Sequence, residues 1–374
     1  MDEIKQSQKA GEGSNLIQAR TLNVNNTYVG ITEQRAREIF SDEMAQRANC
    51  LAVEAQDVAT KRMLDLFSDL IARVKKCEKD LSSFSDPGFL QNVRIAQESA
   101  AVSERKEDIE TLSELLLARM NGKLKRSTKT GLRKAIEIVP ELEGNEVTAL
   151  AAMFFYSRCH LTNMYAVAAE LHLAALDNNF SAILSASDLP SGPRWIQHLS
   201  ILDCVEVNHI GSFKKMEDYY AEDANGIICV GIAKDSAEHL EAIKILNEYG
   251  IDPNMLVMHD LLSEYVRLPI VKLNDFSTLP LVIPNIPKIF TMTPSEKQKE
   301  GLAKVIKLYS NDKALLKKVK SAFVEKIAGY SNLNQFKTWL SSLKHSFELT
   351  PIGEALAYVN ARRCMPGLPI MELE

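Results

Sequence analysis

The sequence predicts a mainly α protein with a minor β component (α+β), in which an N-terminal β ribbon and a long helix join an α-rich globular body. Three observations carry this reading. From Phe40 to Leu81, apolar or small residues recur with a mean step close to 3.7 residues, the period of a helix. Two further segments, 145–158 and 163–176, are strongly apolar at helical spacing and qualify as the central core of the body. Strand-like patterns are short, chiefly Cys204 to Ile210 and Gly226 to Ile232.

Taken in order, Ile17 and Ala19 alternate with polar residues, the alternation slips at Arg20 and Thr21, and Leu22 and Val24 resume it. A strand that turns a corner and continues reads this way. One such ribbon has too little apolar surface to fold alone. Residues 1–30 are therefore expected to be a β-ribbon oligomerisation segment, ordered through contacts with other copies. Thr32 can cap the helix that follows, predicted over 31–84. Two of its columns repeat at intervals of eleven: Met44, Ala55, Leu66 and Cys77, and Ala48, Ala59, Leu70 and Leu81. That period fits a nearly straight or slightly right-handed bundle. A free coiled coil and a long amphipathic helix packed on its own body both satisfy it. The expected oligomerisation set is Ile17, Ala19, Leu22, Val24, Met44, Leu66 and Leu70.

Asp86-Pro87-Gly88 breaks the long helix, because Pro cannot continue it and Asp86 can cap the next. Helices over 89–103 and 108–120 follow, then a basic loop and helix start from Asn121 to Lys134, and the two apolar helices. Residues 85–200 thus form a helical core region. Residues 201–374 change character to α+β. Cys204 to Ile210 alternates like a half-buried strand, and the apolar run Gly226 to Ile232 fits a buried one. Helices are expected at 236–249 and 254–265. Five prolines between Leu268 and Pro294 make that stretch extended and unsuited to a central strand. Two or three helices occupy 295–344. In Phe347-Glu-Leu-Thr-Pro-Ile-Gly353, a strand meets a final helix with Thr350 as cap and Pro351 at its first position.

The 374 residues exceed one ordinary core. A hydrophobic content of 46% with 25% charged residues is that of a packed chain, not a disordered one. A net charge of -5 argues against a general nucleic-acid-binding surface. Six scattered cysteines without a C-x-x-C pair read as reduced thiols, and the polar start lacks a secretory pattern. No apolar run reaches the roughly 18–20 residues needed to cross a bilayer. Together these give the expectation of a cytoplasmic protein.

Candidate chemistry is sparse. Lys123, Lys125, Arg126, Lys129, Arg133 and Lys134 place six positive charges in twelve residues and could contact phosphates. However, no aromatic is interleaved, and Glu137, Glu141, Glu143 and Glu146 follow at once. Of the seven histidines, only His160 and His172 share an apparent helical stretch, without a carboxylate at ligand spacing. No catalytic, cofactor-binding or metal-binding residues are assigned, and no cofactor is expected.

The opening Gln6-Ser7-Gln8-x-Ala10-Gly11-x-x-Ser14 with Ile17-Gln18-Ala19, the Asp86-Pro87-x-Phe89 start and the closing Leu349-Thr350-Pro351-x-Gly353 resemble an uncharacterised family of bacterial proteins. The closing pattern is similar to that of some abortive-infection proteins. This resemblance implies a role in defence against phage, with a phage or host protein as partner, and supplies no catalytic residues. The expected function is a homo-oligomeric, non-enzymatic interaction protein, a sensor or scaffold in antiphage defence. Two alternatives stand beside it: an enzyme or toxin effector with a site between body domains, and a nucleic-acid binder using 123–134.

Overall fold

The computed structural model describes residues 33–77, 81–120, 124–282 and 289–368. The expected ribbon, with Ile17, Ala19, Leu22 and Val24, lies outside the described residues, as does Lys123. The fold is mainly helical with a minor β component. The chain divides into two compact units, residues 1–57 and 58–374.

The described part of the first unit is helical, the beginning of α1 (Glu33–Lys76). In the second unit, α1 ends at Lys76 instead of continuing to 84, and Leu81–Ser85 forms a 3₁₀ turn. Phe84 in that turn packs edge-on against Phe89, with ring centroids 5.1 Å apart. Asp86 then caps α2 (Pro87–Val102) by accepting from the Gly88 amide at 3.0 Å.

The helices α3 (Lys106–Arg119), α4 (Arg126–Ile138), α5 (Gly144–Arg158), α6 (Ala169–Leu184) and α7 (Arg194–Ile201) follow. Strand β1 (Val205–Asn208) and helix α8 (Met216–Asp223) come next, then β2 (Ile232–Ala233), α9 (Ala237–Glu248), β3 (Val257–Met258) and β4 (Tyr265–Arg267). The remaining elements are β5 (Leu279–Val282), β6 (Ile289–Met292), α10 (Glu296–Ile306), α11 (Lys313–Ile327), α12 (Ser331–Ser342), β7 (Ser346–Leu349) and α13 (Pro351–Cys364).

The last helix is the hub of the body. Nine of its residues, Ile352, Gly353 and Ala355 to Ala361, are buried because α3, α4 and α5 all pack on it. Its start matches the expected corner: β7 pairs antiparallel with β1, Val207 opposite Phe347, and the Thr350 hydroxyl accepts from the Gly353 amide at 3.1 Å. One apolar core runs from Leu66 to Met365, across the position near 200 where the sequence changes character. An aromatic chain threads it: Phe155 meets Phe180 edge-on at 5.1 Å, and Phe180 stacks on Phe336 at 4.4 Å. Each such enclosed side chain contributes about 1.5–3 kcal/mol through burial.

A second apolar cluster joins the β2-β4-β3 sheet to α9 and α10 around Ile232, Leu246, Val266 and Leu302. It is fastened to the main core by Arg267, whose wholly buried guanidinium donates to the Ala166 carbonyl at 2.8 Å. Asn163 adds three bonds, accepting from the Val271 amide and donating to the Asp275 and Thr278 carbonyls.

Three sequence-based assignments change in this region. The helix expected from 163 starts only at Ala169, because Asn163 is engaged by the 271–278 segment and Asp260 accepts from the Ala169 amide at 2.7 Å. Residues 226–231 are a buried turn, and only Ile232–Ala233 pairs as a strand. Ile227 and Ile228 both donate back to the Ala224 carbonyl, and Gly226 lies so close to Ile270 that a Cβ would meet its carbonyl oxygen at 2.3 Å. The run is buried as expected, but an apolar run does not distinguish a strand from a buried turn. Residues 254–265 form a 3₁₀ turn and the β3–β4 hairpin instead of a helix. His259 closes that hairpin: its amide donates to Tyr265, its Nε2 donates to the Cys229 carbonyl at 2.8 Å, and its Nδ1 accepts from the Leu261 amide.

Candidate functional site

The side chains described between residues 34 and 57 of α1 are all exposed. Phe40, Met44 and Leu51 are 64%, 53% and 60% exposed. At eleven residues per three turns they fall on one narrow stripe, with the small residue Ala48 between Met44 and Leu51. In the second unit the columns of Met44 and Ala48 reach Leu66 and Leu70, each 1% exposed. There they belong to the main core of the chain itself. Of the described members of the expected oligomerisation set, Met44 is thus open to a partner. Leu66 and Leu70 are occupied within the chain.

The basic stretch lies on α4. Leu132, Ala135 and Ile136 face the core, while Lys125, Arg126 and Lys134 are exposed and carry no ion-pair partner among the described residues. Arg133 pairs with Glu137 at 2.7 Å. Glu146 turns inward instead. Its buried carboxylate accepts from the Glu143 amide, closing the N-terminal turn of α5, and from His198 Nδ1 at 2.8 Å.

A third feature was not visible in the sequence. Between the last turns of α1 and α13 and the side of α3 lies a cleft of about 350 Å³. Arg73 spans it, pairing with Asp69 through Nε at 2.6 Å and with Glu114 through Nη1 at 2.5 Å. Partial burial works against its charge, yet these two carboxylates hold its pKa above the ordinary value. Lys76, Arg362 and Arg363 complete the basic lining. These residues stand nearly three hundred positions apart in the chain, so no local motif announces them.

Nucleophiles and bases are otherwise quiescent. Burial pushes the thiols of Cys159 and Cys229 up to about 11 and that of Cys204 to about 12, which keeps them as thiols. Burial lowers His172 and His259 to about 4, so both are neutral. His160, apart from His172 in a loop, pairs through Nδ1 with Asp223 at 2.9 Å, and Lys272 meets the same carboxylate at 2.6 Å. Burial raises the Asp223 pKa, but the bonds from His160 and Lys272 outweigh it and hold the carboxyl below its ordinary range. Among the described residues no group of three or more His, Cys, Asp or Glu is placed to hold a metal ion, and no helix is long and apolar enough to cross a membrane.

No curated protein and no solved structure matches the chain. A family model whose description reads ":-like" matches residues 30–373. That range takes in every described residue and the Leu349-Thr350-Pro351-x-Gly353 corner, and it leaves out the Gln6 to Ser14 segment. Since it spans most of the chain, this protein belongs to that family.

Proposed function

We propose that the protein is a homo-oligomeric, non-enzymatic interaction protein that assembles through the first half of α1 together with the segment preceding it. The observation that carries this is the apolar stripe of Phe40, Met44 and Leu51, exposed on a helical stretch that has no apolar core of its own. Burying one such side chain is worth about 1.5–3 kcal/mol, and a second copy supplies an identical stripe. Within the assembly the body serves as a sensor or scaffold in bacterial antiphage defence, with a phage or host protein as its partner. The resemblance of the closing Leu349-Thr350-Pro351-x-Gly353 pattern to that of some abortive-infection proteins supports that role.

The test is a mass measurement in solution on the whole chain and on a Phe40→Glu/Met44→Glu/Leu51→Glu variant. A multimer for the first and a monomer of unchanged melting temperature for the second is the expected result. Equal masses would reject assembly through this stripe. Plaque counts on cells expressing each form test the defence role, with protection expected only from the assembling form.

A further inference from the structure

The cleft beside Arg73 carries a charge imbalance that its own contacts leave unresolved. Among the described residues its charged lining is Arg73, Lys76, Arg362, Arg363, Asp69 and Glu114, four cations against two carboxylates. Both carboxylates are engaged by Arg73. Arg363 reaches Glu110, outside the cleft, through Nη1 at a long 3.4 Å, and its buried Nε has no partner. Neither Lys76 nor Arg362 forms an ion pair or hydrogen bond among the described residues.

Basic residues in the last turn of a helix favour its dipole by about 0.3–1 kcal/mol each, which accounts for each of them singly. It does not account for two helix ends directing their basic side chains into one concavity. There the low-dielectric walls focus the positive potential. The rest of the lining is Cys77 and an apolar wall formed by Ala72, Leu117 and Pro366. A volume of about 350 Å³ is in the range of small-molecule sites, roughly 300–1,000 Å³.

We propose that this cleft binds a small phosphate ester, with the phosphate held by Lys76, Arg362 and Arg363 and the organic part laid against the apolar wall. The negative charge of a phosphate ester offsets the surplus positive charge, its oxygens accept from the uncommitted donors, and arginine forks match its geometry. The site stands independently of the oligomerisation reading.

The test is calorimetric titration of the full chain with AMP, with adenosine and with inorganic phosphate at constant ionic strength. AMP is expected to bind, inorganic phosphate to bind more weakly because it leaves the apolar wall uncovered, and adenosine not to bind. Arg362→Ala and Lys76→Ala remove side chains that have no ion-pair or hydrogen-bond partner among the described residues. Each should keep the melting temperature and weaken AMP about tenfold to a hundredfold, as expected for losing a charge-assisted hydrogen bond. A Lys125→Ala/Arg126→Ala variant on α4 should bind AMP as the parent does. Absence of AMP binding, adenosine binding as tight as AMP, or loss in the α4 variant with none in the cleft variants would overturn the proposal.

Discussion

Gly353, in the first turn of α13, lies so close to the carbonyl oxygen of Cys204 that a Cβ on it would stand 1.9 Å away. That carbonyl also accepts from the Thr350 amide at 3.1 Å, so it cannot swing aside without breaking the strand-to-helix corner. Gly353→Ala is therefore expected to destabilise the chain by at least roughly 1–3 kcal/mol, the usual cost of overpacking. Urea unfolding of the variant measures this, and an unchanged midpoint would show that the corner relaxes freely.

At the same corner Phe347 is buried, packed edge-on against Trp195 and Phe213 at 5.7 and 5.0 Å, whereas Leu349 is only half-buried. Phe347→Ala should cost about 3–5 kcal/mol, and Leu349→Ala should fall below the roughly 2–5 kcal/mol of a fully enclosed leucine. Thermal unfolding of the two variants tests this order. A larger loss for Leu349→Ala would reverse it.

Along α1, the seam changes role between its two halves. Aspartate at Leu66 or Leu70 places an unpaired carboxylate in the core and should cost several kcal/mol. Aspartate at the exposed Ser68 should stay within about 0.5 kcal/mol. Melting temperatures of the three variants decide the matter, and equal values would mean that no seam is buried there.

Acid should unfold the protein through its two buried histidines. His172 and His259 are lowered to about 4 by burial, with Arg267 adding to the effect, against about 6.5 in the unfolded chain. Between those values the unfolded state binds more protons, so stability rises with pH across the window. It is fully present above about pH 6.5 and is lost as pH falls toward 4. Each histidine contributes about 3 kcal/mol to that difference. Unfolding free energies from pH 7 to pH 4 should fall steeply, and the slope should flatten in a His172→Gln variant. A flat parent profile would place the proton uptake elsewhere.

The sequence by itself determined the fold class, the long helix, the Asp86 and Thr350 caps, β1 and the β7–α13 corner. Each of these is written in neighbouring residues: a repeated spacing, a carboxylate two or a hydroxyl three positions before an amide, a proline at a first turn. Tertiary structure alone decided that Gly226 to Gly231 turns instead of extending, that 254–265 folds into a hairpin around His259, and that α6 waits until Ala169. In each case a partner from a distant segment, Ile270, Cys229 or Asp260, supplies the contact that outweighs local preference. The same holds for the basic cleft, since Arg73, Glu114 and Arg363 meet only when α1, α3 and α13 pack together. Apolar periodicity identifies which face of α1 is buried, but only packing decides that Leu66 and Leu70 meet the chain's own core and that Phe40, Met44 and Leu51 do not.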